Sequence, residues 1–151
     1  MNAPGSIPAS TPVRTPKRTI VRGVQPGEVN AFWPRVAPLI ERGLDYAGGC
    51  FGPDDVRLSL IERRRQLWID WPDIRCALVT EPIDYPLKRI LHVFLVAGRL
   101  PRDWRDLWRG IERWAVAQGC ADVEIRGRPG WIRRLPDYRA AMVFMRKELT
   151  S

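Results

Sequence analysis

The chain has a single histidine, His92, and only three cysteines among its 151 residues. The cysteines, at positions 50, 76 and 120, are odd in number and show no C-x-x-C spacing, so neither a disulfide framework nor a zinc site is predicted. A Ser-His-Asp triad would have to use His92, but no G-x-S-x-G stretch supplies its nucleophile. These absences argue against metal sites and serine hydrolases, and they favour a reducing compartment.

Long hydrophobic runs are also absent. No apolar run approaches the roughly 18 residues that a membrane-spanning helix needs. The first residues, MNAPGSIPASTPVRTPKR, are interrupted by proline and lack the apolar core of a secretory signal. The chain is nevertheless 45% hydrophobic and carries seven tryptophans. We therefore expect one soluble domain with a packed core, without a membrane span and not secreted by a signal peptide.

Acidic residues are missing from the first 26 positions, which hold half of the chain's net charge of +8. This stretch is rich in proline, threonine and serine, so we expect residues 1–26 to form a basic extended arm and residues 27–151 a single domain. The basic residues of the arm are predicted to bind a partner, although a flexible tail is the alternative; they are Arg14, Lys17, Arg18 and Arg22. The overall positive charge points to an anionic partner.

Periodicity predicts an α/β (α+β) fold. Two helices come first, one over residues 27–47 that Pro34 and Pro38 are expected to break or kink, and one opened by Pro53. Three strands follow as an antiparallel meander, over residues 66–71, 75–81 and 88–97. A helix over residues 100–118, a strand over 121–127, a short helix and a closing strand over 140–149 complete the order. The strand-helix-strand unit implies a parallel crossover, so the sheet is mixed and flanked by helices.

This order, and the stretches LHVFLVAGR and WAVAQGCADVEIRGRPGWIRRLPDYRAAMVFMRKEL, resemble the GNAT acetyltransferase superfamily over residues 27–149. More narrowly, the pattern DYPLKR, VFLVAGR, AQGC and VEIRGRPGW resembles small GNAT-like proteins that tailed bacteriophages and prophages encode beside virion genes. The resemblance implies a GNAT-like fold, other virion or assembly proteins as partners, and a location in the virion or the host cytoplasm.

The same resemblance identifies the turn that would hold acetyl-CoA. In the family this turn reads Arg/Gln-x-x-Gly-x-Gly/Ala, because backbone N–H groups must reach the pyrophosphate. The matching positions here are Arg99, Leu100, Pro101, Arg102, Asp103 and Trp104. Both glycine positions are bulky, Pro101 has no N–H to donate, and the Asp103 carboxylate opposes an anionic ligand. These departures predict weak or absent acetyl-CoA binding, partly offset by Arg99 and Arg102.

Candidate catalytic residues are few. His92 shares a strand face with apolar neighbours and is either a general base or a hydrogen-bonded structural histidine. Glu124, with Asp122 on the same strand face, either lines a cleft or is solvated. Tyr138 is predicted to be a core aromatic rather than an acid, and the short helix WIRRL lacks the tyrosine that GNAT enzymes commonly use there.

Four arginines follow one side of the third long helix at helical spacing, namely Arg102, Arg105, Arg109 and Arg113. This arginine stripe either docks an acidic protein surface or a phosphate backbone, or is a solvated face. The stretches ERRRQ and RGRPGWIRR are expected to add further positive surface. No motif for sequence-specific recognition of nucleic acid accompanies them.

Three functions remain open. The first is a noncatalytic GNAT-like phage virion or assembly protein, without cofactor, that packs against partner proteins through its basic arm and helix surfaces. The second is an acetyl-CoA-dependent N-acetyltransferase with an atypical cofactor loop. The third is a protein that binds nucleic acid without sequence specificity. The turn at residues 99–104 departs from the family pattern and few catalytic candidates are present, so the sequence favours the noncatalytic function. The fold alone does not decide this, since function depends on the site and not on the scaffold.

Overall fold

A computed structural model describes residues 19–150 and contains one five-stranded sheet between two layers of helices. The strands lie in the order β1-β2-β3-β4-β5. In chain order the elements are β1 (Ile20–Val24), a 3-10 turn (Pro26–Glu28), α1 (Val29–Leu44), α2 (Pro53–Ile61), β2 (Gln66–Trp71), β3 (Cys76–Asp84), β4 (Arg89–Gly98), α3 (Trp104–Ala117), β5 (Cys120–Ile125) and α4 (Trp131–Arg134).

The sheet is mixed, as the sequence predicts. Strands β1 to β4 pair antiparallel in succession, and β5 pairs parallel to β4. Parallel strands need a long crossover, which α3 supplies. The predicted meander, the crossover and the α+β class are therefore confirmed.

Hydrophobic side chains fill both sides of the sheet. One core, with Val36, Ile40 and Leu60, packs α1 and α2 on the sheet, and the other, with Trp108 and Ile111, packs α3. Strand β4 contributes to both cores, because a register shift between Val93 and Leu95 turns Leu95 and Ala97 to the face opposite that of Leu91 and Val93. This arrangement confirms the prediction that β4 is a central strand covered by helices on both sides.

Helix α1 continues through both of its prolines, which corrects the expected break. Pro34 and Pro38 lie inside the helix, and each removes one backbone donor. Burial compensates for these losses, because Val36 and Ile40 are fully buried against the sheet. Gly43 permits the close approach, since a Cβ there would lie 2.9 Å from the Cβ of Ala97 on β4.

Strand β1 lies within the stretch that the composition assigns to the basic arm. Residues 20–24, assigned to the arm from composition, pair with β2 from Ile20 opposite Trp71 to Val24 opposite Leu67. Within β1, Arg22 forms an ion pair with Glu28 at 3.0 Å and its guanidinium lies 4.7 Å from the centre of the Trp71 ring. Arg22 is thus engaged in contacts within the domain, and its role in partner binding stays a prediction. Arg14, Lys17 and Arg18 lie outside the described residues.

The predicted closing strand does not form. Residues 139–150 have no regular secondary structure, and four consecutive apolar side chains within them are 65–89% exposed: Met142, Val143, Phe144 and Met145. A strand pattern in the sequence reflects only a local preference for extended backbone. A stable strand also needs a neighbouring strand to form hydrogen bonds with its backbone N–H and C=O groups. Among residues 19–150, no helix is long and apolar enough to span a bilayer.

Candidate active site

Strand β4 extends beyond its pairing with β5. The pairing covers Arg89 to Val93 on β4 and ends at Ile125 on β5, whereas β4 continues to Gly98. The pairing ends beside a β-bulge, because Val79 lies opposite Leu95 and Thr80 opposite Val93, leaving Phe94 as the extra residue. Bulges redirect side chains and free backbone groups, and they are frequent next to active sites.

Three polar residues form a row across the sheet near the end of this pairing. The strand registers place Glu81 on β3 and Glu124 on β5 directly beside His92 on β4. His92 Nδ1 lies 3.2 Å from Glu124 Oε1, and the two side chains are only 12% and 29% exposed. The contact is within hydrogen-bonding distance but poorly aligned, so neither atom forms a hydrogen bond with any of the residues 19–150. The structure thus brings together two of the predicted catalytic candidates.

The pKa of His92 is lowered from its ordinary value, chiefly because burial disfavours the imidazolium cation. Arg126 acts in the same direction, whereas the carboxylates of Glu124 and Glu81 oppose the shift. The net effect keeps the imidazole neutral near pH 7. A neutral imidazole beside a carboxylate can accept a proton from a substrate.

Arg65 forms an ion pair with Glu81, the third polar residue of the row. Its Nε lies 3.3 Å from Glu81 Oε2, and its side chain is only 8% exposed. The guanidinium lies 4.1 Å from the ring centre of Phe94 and 5.0 Å from that of Phe51. Because Arg65 neutralises Glu81, the carboxylate available to His92 is that of Glu124. This burial corrects the expectation that the whole ERRRQ stretch adds positive surface.

Sequence reasoning did not find Glu81 or Arg65. Glu81 ends a predicted strand, but its position beside His92 depends on the register between β3 and β4. Asp122 shares a strand face with Glu124, as predicted, because the two acids lie opposite Ile90 and His92. Asp122 is half exposed and forms an ion pair with Lys88, so it stays outside the buried row.

Tyr138 lies away from this row, in the core beneath α3. Its hydroxyl accepts a hydrogen bond from Trp108 Nε1 at 2.9 Å and donates one to Glu112 Oε1 at 2.6 Å. Burial, and to a lesser degree the neighbouring carboxylate, raises the pKa of the Tyr138 phenol, so it is a poor proton donor. This placement agrees with the predicted packing role, and nothing in the geometry brings Tyr138 to His92.

The turn after β4 retains some backbone N–H groups that could bind an anion. Gly98 ends β4 with a φ of +85°, and the Arg99 N–H donates to the carbonyl of Arg75 at 2.9 Å, which fixes the start of the turn. Pro101 is buried, and its carbonyl accepts from the Trp104 N–H at 3.1 Å. Helix α3 therefore begins at Trp104, four residues later than expected.

Three N–H groups of this turn remain available. Those of Leu100, Arg102 and Asp103 donate to no backbone oxygen within the described part of the chain. The side chains of Arg99 and Arg102 are exposed beside them. These donors and cations suit a diphosphate, whereas the carboxylate of Asp103 opposes one. The turn therefore fits the phosphates of coenzyme A, with fewer donors than a glycine-rich turn offers.

The arginine stripe faces solvent over its full length. Arg102, Arg105, Arg109 and Arg113 are all exposed. Arg109 lies 3.9 Å from Asp106, a distance at which an exposed pair contributes little to stability. Arg105, Arg109 and Arg113 lie within α3, whereas Arg102 precedes the helix, and the binding role of the stripe stays a prediction. Among residues 19–150, no group of three or more metal-ligating side chains occurs.

No protein-family model matches the sequence, and no curated protein matches it at a significant level. Solved structures match its fold. A ribosomal-protein-alanine N-acetyltransferase from Brucella melitensis biovar Abortus 2308 gives a TM-score of 0.60 at 13% identity, over 89% of this chain and 99% of its own. An aminoglycoside acetyltransferase from an uncultured soil metagenomic sample, solved with sisomicin, gives 0.64 at 11% identity, over 87% and 97%.

A GNAT family acetyltransferase from Staphylococcus aureus gives a TM-score of 0.61 at 12% identity, over 87% of this chain and 98% of its own. Identities this low carry information about the fold and not about the substrate. In this chain, one sheet combines the strand order, the parallel crossover and a bulge in β4 beside the end of its pairing with β5. The chain therefore has the mixed five-stranded fold of the GNAT acetyltransferases.

Proposed function

We propose that this chain is an N-acyltransferase that takes an acyl group from acyl-coenzyme A and passes it to an amine, with His92 as the general base. One observation carries the proposal. His92 Nδ1 and Glu124 Oε1 are buried near the end of the β4–β5 pairing, 3.2 Å apart, and form no hydrogen bond with the described residues. Buried polar atoms without partners are rare in native proteins and are typical of sites that a ligand or water completes.

Proton transfer follows from this pair. An amine acceptor is an ammonium ion near neutral pH and must lose a proton before its nitrogen can attack a carbonyl carbon. His92 accepts that proton, because its lowered pKa keeps the imidazole neutral. Nδ1 faces Glu124, which leaves Nε2 for the acceptor, and the carboxylate of Glu124 stabilises the imidazolium that forms.

The coenzyme would supply an acyl thioester, which is activated towards attack by nitrogen. The amide bond would form as the C–S bond breaks, and the second proton of the nitrogen would pass to the thiolate, which leaves as free coenzyme A. The N–H groups of Leu100, Arg102 and Asp103 and the guanidinium groups of Arg99 and Arg102 would hold its phosphates. This donor set supports binding despite the departures from the glycine-rich pattern. The proposal reverses the preference drawn from the sequence, which placed a noncatalytic role first.

A noncatalytic role is the second candidate, and one observation favours it. Pro101 has no N–H, and its carbonyl takes up the Trp104 N–H, so the turn offers fewer free donors than a glycine-rich turn. In that case the arginine stripe would pack against acidic partner proteins, including the virion or assembly proteins expected from the resemblance. Binding of acetyl-CoA separates the two candidates.

Isothermal titration calorimetry with acetyl-CoA tests the first step. We expect binding with a Kd in the micromolar to high-micromolar range, and no detectable heat at saturating acetyl-CoA would refute the proposal. Thiol release is then measured with acetyl-CoA and a panel of primary amines. His92→Gln is expected to lower kcat about 100-fold or more, as for loss of a general base. The control Asp122→Asn alters an exposed pair with Lys88 and is expected to keep full activity.

A further inference from the structure

The polar row near the end of the β4–β5 pairing extends to a fourth strand. The pairing of β2 with β3 places Arg65, the residue before Gln66, next to Glu81. The registers of β3, β4 and β5 continue the row from Glu81 to His92 and Glu124. The row therefore has a cation at its β2 end and a carboxylate at its β5 end, with the imidazole between them.

The guanidinium of Arg65 is largely buried but only partly hydrogen-bonded. Its side chain is 8% exposed, and its Nε donates to Glu81 Oε2 at 3.3 Å. Its two terminal nitrogens donate to no residue in the described part of the chain, yet neither is sealed from solvent. A guanidinium has five N–H donors, and most buried polar groups are satisfied. The donors of the two terminal nitrogens are thus left for a ligand.

Two aromatic rings fix the orientation of this guanidinium. Its Cζ lies 4.1 Å from the ring centre of Phe94 and 5.0 Å from that of Phe51, and the two rings meet edge to face at 87°. Arginine stacks on aromatic faces in this way and stays charged. Phe51 is 38% exposed, so the site opens to solvent on the side of the connection between α1 and α2. A ligand entering there would meet a cation that is already oriented.

We propose that Arg65 binds a carboxylate group of the amine acceptor, so that the acceptor is an amino carboxylate. This inference rests on the proposed acyltransferase function, because it assigns the far end of the acceptor whose nitrogen His92 deprotonates. The two terminal nitrogens of a guanidinium match the two oxygens of a carboxylate. At the other end of the row, the carboxylate of Glu124 favours the ammonium group of the incoming acceptor.

The charges of the row favour such a zwitterion over other amines. Glu81 already offsets part of the charge of Arg65, so the site suits a monoanion better than a doubly charged phosphate. A polyamine would bring a second cation against the guanidinium, and a plain alkylamine would leave its donors unused. Arg65 and His92 are two strands apart, on the order of 10 Å between backbone positions. An acceptor with a few methylene groups between nitrogen and carboxylate therefore fits better than glycine.

Calorimetry on the full chain tests the site without turnover. The probes are γ-aminobutyrate and ε-aminocaproate, each compared with its own amide, in the presence and in the absence of coenzyme A. We expect the better acid to bind about 10-fold more tightly than its amide, as for a charge-assisted bidentate pair. The NMR signals of His92, the only histidine, are expected to shift on addition of the acid. Equal affinity for acid and amide, or no binding of either acid in both conditions, would overturn the proposal.

A paired substitution shows whether Arg65 is responsible. Arg65→Gln alone would leave the Glu81 carboxylate unpaired beside His92, so it is combined with Glu81→Gln, which keeps the net charge of the row unchanged. The double variant is expected to lose the difference between acid and amide, while Glu81→Gln alone keeps it. Arg65→Lys retains the cation without the planar group and is expected to weaken acid binding several-fold. A preference for the acid that survives in a folded double variant would contradict the assignment.

Thiol release separates this inference from the proposed function. We expect kcat/KM for the better acid to exceed that for its amide by about 10-fold, chiefly through KM, because binding of the carboxylate is the same in the ground and transition states. Turnover that is equal for acids, amides and butylamine would refute the carboxylate site and leave the acyltransferase function standing. Acid binding that depends on Arg65, without thiol release from any amine, would support the carboxylate site and refute acyl transfer.

Discussion

Replacing Glu124 with glutamine is expected to lower the pKa of His92 still further. The carboxylate of Glu124 lies 3.2 Å from His92 Nδ1 and favours the imidazolium, while burial disfavours it. Glutamine keeps the size of the side chain and removes the charge, so burial and the repulsion from Arg126 are then opposed only by the Glu81 carboxylate, which Arg65 already pairs. The perturbation thus isolates a single electrostatic interaction in a site with two nearby carboxylates.

The magnitude follows from the geometry. An opposite charge within about 4–6 Å of a partly buried group typically shifts its pKa by 1–3 units. Glu124 is 29% exposed and its contact is poorly aligned, so we expect the lower end, a fall of about 1 unit, which corresponds to about 1.4 kcal/mol. Glu81→Gln is expected to have a smaller effect, because Arg65 already neutralises that carboxylate.

The assay is unusually direct, because His92 is the only histidine in the chain and its imidazole signals need no assignment. Titration by proton–nitrogen NMR gives the pKa of His92 in the parent protein, in Glu124→Gln and in the control Asp122→Asn. We expect the control to match the parent within about 0.2 units, since Asp122 pairs with Lys88 on the surface. A His92 pKa that is unchanged or raised in Glu124→Gln would refute the reasoning.

Three further outcomes are expected. Burial lowers the pKa of His92 below its unfolded value near 6.5, so the unfolded chain binds a proton more readily than the folded one. The free energy of unfolding is therefore expected to fall as the pH drops from 6.5 towards the folded pKa. In thermal melts across this pH range, His92→Gln is expected to remove this contribution to the pH dependence of stability. Asp103→Asn removes a negative charge from the turn and is expected to tighten acetyl-CoA binding about threefold by calorimetry, with weaker binding contradicting the assigned phosphate position. Tyr138→Phe removes the hydroxyl that bonds both Trp108 and Glu112. It is expected to lower the free energy of unfolding by about 1–2 kcal/mol in urea melts and to leave thiol release unchanged. A large loss of kcat would show that the tyrosine takes part in catalysis.

Local patterns predicted most of the secondary structure for clear physical reasons. Residues at helical spacing, including Leu107, Ile111 and Ala115, bury one side of α3, and the same pattern is visible in the sequence. Alternation and turn residues located β2, β3 and β4 to within a few residues. The resemblance then ordered these elements, and the strand pairing agrees with that order.

The candidate site was only partly predictable. His92 and Glu124 were recognised separately as chemical candidates, but their contact depends on the parallel register between β4 and β5. A shift of one residue would have turned either side chain to the opposite face. Arg65 is an example of the same limit, because a run of charged residues predicts exposure while packing between Phe51 and Phe94 buries it.

The ends of the domain depended most on tertiary structure. Residues 20–24 have a weak strand pattern but gain a full ladder with β2, whereas residues 140–149 have a strong strand pattern and pair with no strand among residues 19–150. The sequence by itself determined the helices, the apolar strands and the identity of the ionisable groups, because these follow from side-chain chemistry and short-range periodicity. Which of those groups meet, which charges are buried and which strand stays unpaired was decided only by the tertiary structure, because backbone pairing and burial depend on residues distant in the chain.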